Sequence, residues 1–139
     1  MLTAQDDLIG HQLPTTFDQL DNSDPAWMER LWYTGHPVDR LNLIFDIGLG
    51  YHPNRNVMDA FAGVAVEGRQ WNFRVSRQLR PDPLTTRLGP LEITVLEGLK
   101  RHRLVLGENE SSLRFELEFH GTLNPHEEAP HLQIGRAHV

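Results

Sequence analysis

Apolar and polar residues alternate along much of this chain, and no segment carries a helical period over ten residues. Residues 41–51 alternate in this way, and a turn-forming cluster at 52–56 separates them from a second apolar stretch at 57–66. After Glu67-Gly68, residues 71–76 alternate again. A period of two is typical of strands with one buried face. The pattern therefore predicts a three-stranded antiparallel meander.

The second half of the chain continues the pattern after a proline-rich connection at 80–84, which cannot lie in a central strand. Leu91 begins another alternating segment, residues 104–106 form a short apolar run, and residues 113–119 are the clearest amphipathic strand. Six or seven short strands separated by turns indicate an all-β antiparallel fold. We expect a barrel or a strongly bent sheet.

The changes in pattern divide the chain into three parts. Residues 1–26 are predicted to be an extended N-terminal segment, and residues 27–132 a β domain. The last six residues, Ile134–Val139, match the translation of ATC GGA AGA GCA CAC GTC, the start of a common sequencing adaptor. Residues 133–139 are therefore interpreted as adaptor read-through and excluded from fold reasoning. The domain is expected to be incomplete at its C-terminus, with a further domain of the same chain as its partner.

Composition narrows the functional classes. The chain has 19 acidic and 13 basic residues and a net charge of −6, so it is not expected to bind nucleic acid. It contains no cysteine, which excludes thiolate nucleophiles and cysteine-ligated zinc. The first residues lack the pattern of a secretory signal, and no apolar run approaches the roughly 18 residues of a transmembrane segment. We therefore expect a cytoplasmic protein.

Aromatic residues are concentrated in the first half of the predicted β region. Several have the same parity as their apolar neighbours and should face one side of the sheet. Such a side is either a packed core or the lining of an apolar cavity. The residues predicted to line a ligand site on the second interpretation are Trp32, Phe45, Tyr51, Phe61, Trp71 and Phe73.

Glycines occur within the same predicted strands. Gly48 and Gly50 stand opposite a segment that carries Ala60, Ala62 and Gly63. Glycine inside a strand indicates sharp curvature or the close approach of another group. Both interpretations favour a bent sheet.

Two carboxylates, Asp46 and Asp59, are embedded in apolar strands and are the candidate catalytic residues. Each is expected to be exposed, paired with an arginine such as Arg74 or Arg77, or buried as an acid that could protonate an alkene. The alternation places Asp46 on the other face of the sheet from Phe45 and Ile47. Asp59 shares its face with Val57 and Phe61, which makes it the better candidate for an interior acid.

The eight histidines do not form a metal motif. His126 and His131 are five residues apart with Pro130 between them, whereas the zinc helix motif needs a spacing of four. The chain also has no glycine-rich phosphate loop and no nucleophile elbow. We therefore predict neither a metal nor a cofactor.

Three stretches resemble a family of uncharacterised bacterial proteins: Leu43–Ala60, Gly89-Pro90-Leu91 and Arg103–Phe119. That family is related to the broad lipocalin-like group that includes carotenoid hydratases and tocopherol cyclases. The resemblance covers the N-terminal part of those longer proteins. It implies a lipocalin-like β-barrel domain and isoprenoid substrates, and it transfers no catalytic residue.

Three functions are consistent with these observations. The first is a lipocalin-like domain that binds an apolar lipid of isoprenoid or sterol type. The second is an enzyme that hydrates, cyclises or isomerises such a lipid by acid catalysis, with aromatic rings stabilising the carbocation. The third is a structural accessory domain with a packed core.

Overall fold

The structure is a computed structural model that describes residues 2–10, 23–39 and 42–127. Its strands, in chain order, are β1 (Glu29–Gly35), β2 (Leu43–His52), β3 (Val57–Val66), β4 (Arg69–Gln78), β5 (Arg87–Leu88), β6 (Leu91–Glu97), β7 (Arg101–Leu106) and β8 (Phe115–His120). All their pairings are antiparallel. The predicted all-β antiparallel fold is therefore confirmed. The proposed adaptor read-through lies outside the described residues.

The strands form two sheets rather than a closed barrel. The first has the order β1-β2-β3-β4 and the second the order β5-β6-β7-β8. Each sheet is a meander in which consecutive strands are neighbours. The predicted three-strand meander corresponds to β2, β3 and β4, and strands β1 and β5 are additional to it. We predicted either a barrel or a strongly bent sheet, and the arrangement is consistent with bent sheets and not with a closed barrel.

The hairpin between β3 and β4 shows how local sequence sets the register. Glu67 and Gly68 both have positive φ angles, 49° and 77°. Two central residues with positive φ characterise a type I′ turn, whose twist matches that of the flanking strands. Val66 and Arg69 are consequently paired directly across the turn.

The core lies between the inward faces of the two sheets. In the first sheet the inward residues of β2 and β3 are paired, for example Ile47 with Ala62 and Leu49 with Ala60. In the second sheet, β6 and β7 contribute inward leucines and isoleucine that are fully buried. The largest fully buried side chains are Ile47, Leu49, Tyr51, Met58, Leu79, Leu88, Leu91, Ile93, Leu104 and Leu106.

Arg77 organises the connection between the sheets. Its guanidinium donates hydrogen bonds to backbone carbonyls of this connection, at distances that include 2.8 Å to Gln78 and 2.9 Å to Asp82. The other acceptors are the carbonyls of Leu79, Thr85 and Arg87. These bonds use the planar fork of donors that arginine provides. Arg77 is therefore a brace for the connection, and it does not pair with Asp46 or Asp59.

The close approach of aromatic rings explains why two strand positions are glycine. The ring of Phe61 lies over its cross-strand partner Gly48, and the ring of Phe45 lies over Gly35. A side chain at either glycine would overlap the aromatic ring. Packing of an aromatic ring over a strand glycine is a recognised way to stabilise a sheet that contains glycine.

Candidate functional site

A cavity of about 730 Å³ lies where residues 2–10 (from here on called the N-terminal segment), β1, β6 and the connection before β5 meet. Its volume is within the range of pockets that enclose small molecules. Apolar side chains form much of its wall, and they come from all four of these parts of the chain. They are Leu8, Ile9, Leu31, Leu84, Ile93 and Val95.

The shortness of β5 creates room for this cavity. Strand β5 pairs with β6 through two residue pairs, Arg87 with Glu92 and Leu88 with Leu91. The pairing continues by one more bond, from the backbone N–H of Ile93 to the carbonyl of Thr86 at 3.2 Å. Beyond this point the edge of β6 borders the cavity, and residues 7–10 line the cavity as well. Residues 93–95 therefore face the cavity rather than another full-length strand.

Asp7 fastens the N-terminal segment to the second sheet. Its carboxylate accepts a hydrogen bond from the backbone N–H of Leu99 and lies 2.8 Å from Nε2 of His102. Nδ1 of the same histidine lies 2.7 Å from the hydroxyl of Tyr33. We call Asp7, His102 and Tyr33 the Asp-His-Tyr chain. It links the N-terminal segment to both sheets.

The direction of each hydrogen bond follows from the chemistry of the groups. The ionised carboxylate of Asp7 only accepts, so Nε2 of His102 carries the donated proton. When the imidazole is neutral, its Nδ1 accepts from the Tyr33 hydroxyl. Burial raises the pKa of Tyr33 well above its usual value near 10, and the charge of Asp7 raises it further. Tyr33 therefore remains a protonated donor.

A second contact holds the end of the N-terminal segment. The backbone N–H of Gly10 donates to Oε2 of Glu29 at 2.7 Å, and the Glu29 side chain belongs to a residue that is only 7% exposed. Ile9 is buried beside it in the core. Residues 2–10 are therefore part of the folded domain and form one wall of the cavity.

The six aromatic residues predicted to bind the ligand are divided between the two faces of the first sheet. Phe45, Tyr51 and Phe73 pack in or against the core. Trp71 has the same parity as Phe73. Trp32 and Phe61 are on the outer face, next to Gly48. None of the six contributes to the wall of the 730 Å³ cavity.

Both candidate catalytic carboxylates also lie on the outer face. Asp46 accepts a hydrogen bond from the indole N–H of Trp32. Asp59 does share its face with Phe61, but that face points away from the core, and its side chain is 52% exposed. Its partner is His52 at 3.3 Å rather than an arginine. The structure therefore does not place either carboxylate in the apolar interior.

Sequence reasoning missed the residues that build the cavity wall from the N-terminal segment. The signal was the apolar pair Leu8-Ile9 within an otherwise polar stretch. Contact between Asp7 and His102, which are 95 positions apart, has no local signature. Within the described ranges, no group of three or more histidine, aspartate or glutamate side chains is arranged to hold a metal ion.

These features define an all-β protein in which two antiparallel sheets and an N-terminal segment surround a largely apolar cavity. The chain belongs to a family of unknown function, DUF8625, whose model matches residues 2–139. No curated protein and no solved structure matches the chain. Among the described residues, no helix has the length and apolar character needed to cross a membrane.

Proposed function

We propose that this protein binds an apolar small molecule in the cavity between the N-terminal segment and strands β1 and β6. The observation that carries the proposal is the 730 Å³ volume with apolar side chains contributed by four separate parts of the chain. Burial of apolar ligand surface against such a wall contributes about 25 cal/mol for each Å² removed from water. A lipid-binding role is also what the lipocalin-like resemblance implies.

The polar residues around the cavity favour a neutral ligand. Two carboxylates, Asp7 and Glu92, and one guanidinium, Arg87, border it together with Gln5 and three threonines. A fatty-acid carboxylate would approach two like charges, which is unfavourable in a partly enclosed site. A hydroxyl group can both donate to the carboxylates and accept from the guanidinium. We therefore infer a neutral lipid alcohol of isoprenoid or sterol type.

A titration with two probes of similar chain length tests this function. Farnesol and farnesoic acid differ in their polar end, and displacement of the neutral dye Nile red reports on both. We expect farnesol to displace the dye and farnesoic acid to bind more weakly. If neither probe nor dye binds the folded protein, the cavity does not hold apolar ligands.

Two variants connect binding to the cavity. Leu84 lines the cavity and is 60% exposed, so Leu84→Asp places a charge there without disturbing the core. Leu123, which is 86% exposed and does not line the cavity, provides the control Leu123→Asp. We expect farnesol affinity to fall by about tenfold or more in the first variant, equivalent to about 1.4 kcal/mol, and to be unchanged in the second. Equal affinities in both would place the ligand elsewhere.

Acid catalysis on such a lipid is supported less well by the geometry. Asp7 and the exposed Glu92 border the cavity, whereas Asp46 and Asp59 lie on the outer face of the first sheet. Asp7 already accepts hydrogen bonds from Leu99 and His102. Because its carboxylate is occupied as an acceptor in those bonds, Asp7 holds the cavity wall in place. This role supports ligand binding rather than proton donation.

A further inference from the structure

The outer face of the first sheet carries an aromatic row that the cavity does not use. Trp32, Gly48, Phe61 and Arg74 are successive neighbours across β1, β2, β3 and β4. Trp32 is 65% exposed, and its indole N–H is bound to Asp46, which fixes the orientation of the ring. Phe61 lies over Gly48 and extends the apolar surface toward Trp32. The exposed ring of Trp32 and the half-buried ring of Phe61 together form an aromatic platform.

Polar groups surround the Phe61 end of this platform. Two shallow depressions, of about 560 and 340 Å³, are both bordered by Phe61 and Arg74. The larger one also contacts Asp59 and Ser76, and the smaller one Asp46, Gln70 and Asn72. Across the described part of the chain, the guanidinium of Arg74 has neither an ion pair nor a hydrogen bond. Hydrogen-bond donors and acceptors therefore encircle an aromatic ring.

Three glycines lie on the outer surface of β2 and β3. They are Gly48, Gly50 and Gly63, and the neighbouring side chains of Phe61, Asp59 and Asn72 lie against them. Residues on neighbouring strands are about 4.8 Å apart, so Trp32 and Phe61 have backbones about 10 Å apart. A ligand that extends across these strands can therefore contact both rings.

We propose that this face binds a saccharide, with sugar rings against Trp32 and Phe61 and hydroxyl groups on Arg74 and Asp59. A pyranose ring has an apolar C–H face, which suits an aromatic ring, and a rim of hydroxyls. Those hydroxyls donate to carboxylates and accept from a guanidinium. A purely apolar lipid would offer no acceptor to the Arg74 guanidinium, whereas Asp59 already has His52 as a partner. The separation of the two rings across three strands favours an extended chain of several sugar units, such as a β-1,4-linked glucan.

The indole N–H signals of the three tryptophans provide a direct test. Cellohexaose is titrated into ¹⁵N-labelled protein, and the Trp32 signal is assigned from its absence in Trp32→Phe. We expect a saturable shift of the Trp32 signal while the signals of Trp27 and Trp71 stay in place. Absence of a shift up to the solubility limit of cellohexaose, or equal shifts of all three signals, would overturn the proposal.

Two variants test the polar and aromatic parts separately. Phe61→Ala removes a platform ring, and Arg74→Gln removes the unpaired charge from an exposed residue. Arg103→Gln changes a paired arginine on the outer face of the other sheet and is the matched control. We expect cellohexaose affinity to fall about tenfold, or 1.4 kcal/mol, in Phe61→Ala and severalfold in Arg74→Gln, with no change in the control. Unchanged affinity in both site variants would overturn the proposal, whatever the cavity binds.

Discussion

The outer faces of the two sheets are built differently. The second sheet presents charged side chains that pair with each other, as Arg103 does with Glu116 at 2.6 Å and Arg101 with Glu118 at 3.4 Å. The first sheet presents exposed Trp32, and Arg74, which has no ion pair among the described residues. Paired charges and water satisfy the outer face of the second sheet, whereas the exposed ring of Trp32 leaves apolar surface in contact with water. This difference supports the proposal that the outer face of the first sheet binds a ligand.

The inward faces of the two sheets, in contrast to the outer faces, are built alike. Both sheets contribute fully buried apolar residues to one core, and the cavity opens where β5 is too short to cover the edge of β6. The N-terminal segment closes this side through the Asp-His-Tyr chain and Glu29. Stability therefore depends on the inward faces, and we expect the two outer faces to tolerate substitution.

The largest expected effect contrasts a core residue with a platform residue. Leu104→Ala, at a fully buried inward position, should lower the free energy of unfolding by about 2–5 kcal/mol, because a cavity replaces packed atoms. Trp32→Ala, at an exposed position, should change it by no more than about 0.5 kcal/mol. Urea denaturation measures both. A larger loss for Trp32→Ala than for Leu104→Ala would show that the platform is structural.

Removal of the central member of the Asp-His-Tyr chain should have an intermediate effect. His102→Ala leaves the buried Tyr33 hydroxyl without its partner, which costs about 1–3 kcal/mol. The N-terminal segment should also loosen, so the Gly10 amide should exchange its hydrogen faster. His120→Ala, at a largely exposed histidine of β8, is the control. If the exchange rate of the Gly10 amide hydrogen is unchanged in His102→Ala, the Asp-His-Tyr chain does not hold the wall of the cavity.

Alkaline pH should destabilise the protein through Tyr33. Its pKa is raised in the folded state by burial and by Asp7, so above about pH 10 the unfolded chain loses a proton that the folded protein keeps. The unfolding free energy should then fall by about 1.4 kcal/mol for each pH unit. Tyr33→Phe should remove this component of the slope between pH 10 and 11. Identical slopes in the two proteins would refute the assignment.

The smallest expected effect concerns the paired outer face. Arg103→Gln removes a pair with Glu116 whose two side chains are 48% and 64% exposed. Water screens such a pair, so the loss should be less than about 1 kcal/mol and should shrink at high salt. Melting curves at low and high salt measure it. A loss as large as that of His102→Ala would remove the contrast between outer and inward residues.

Sequence patterns predicted the strands that follow a simple alternation. Strands β2 and β4 were found because their period of two is regular, and β3 because an apolar stretch lies between turns that contain proline, asparagine or glycine. The sequence pattern did not identify β1 as a strand, because β1 buries the charged Glu29 and exposes the apolar Trp32. A two-residue strand such as β5 has no period to detect.

The candidate site was less predictable, because a period of two groups residues by face without identifying the buried face. Asp59 and Phe61 do share a face, yet that face is the outer one. The contacts of Asp7 with Leu99 and His102 join distant parts of the chain, and they depend on how the sheets pack. Only the folded structure could show that the N-terminal segment forms part of the site.

We propose that an apolar ligand lies in the cavity between the N-terminal segment and strands β1 and β6, and not on the aromatic platform. Nuclear Overhauser effects between farnesol and methyl-labelled protein test it most directly. We expect contacts from the ligand to the methyl groups of Leu31, Ile93 and Val95, all of which line the cavity. Contacts to Trp32 or Phe61 instead, with none to those methyl groups, would contradict it.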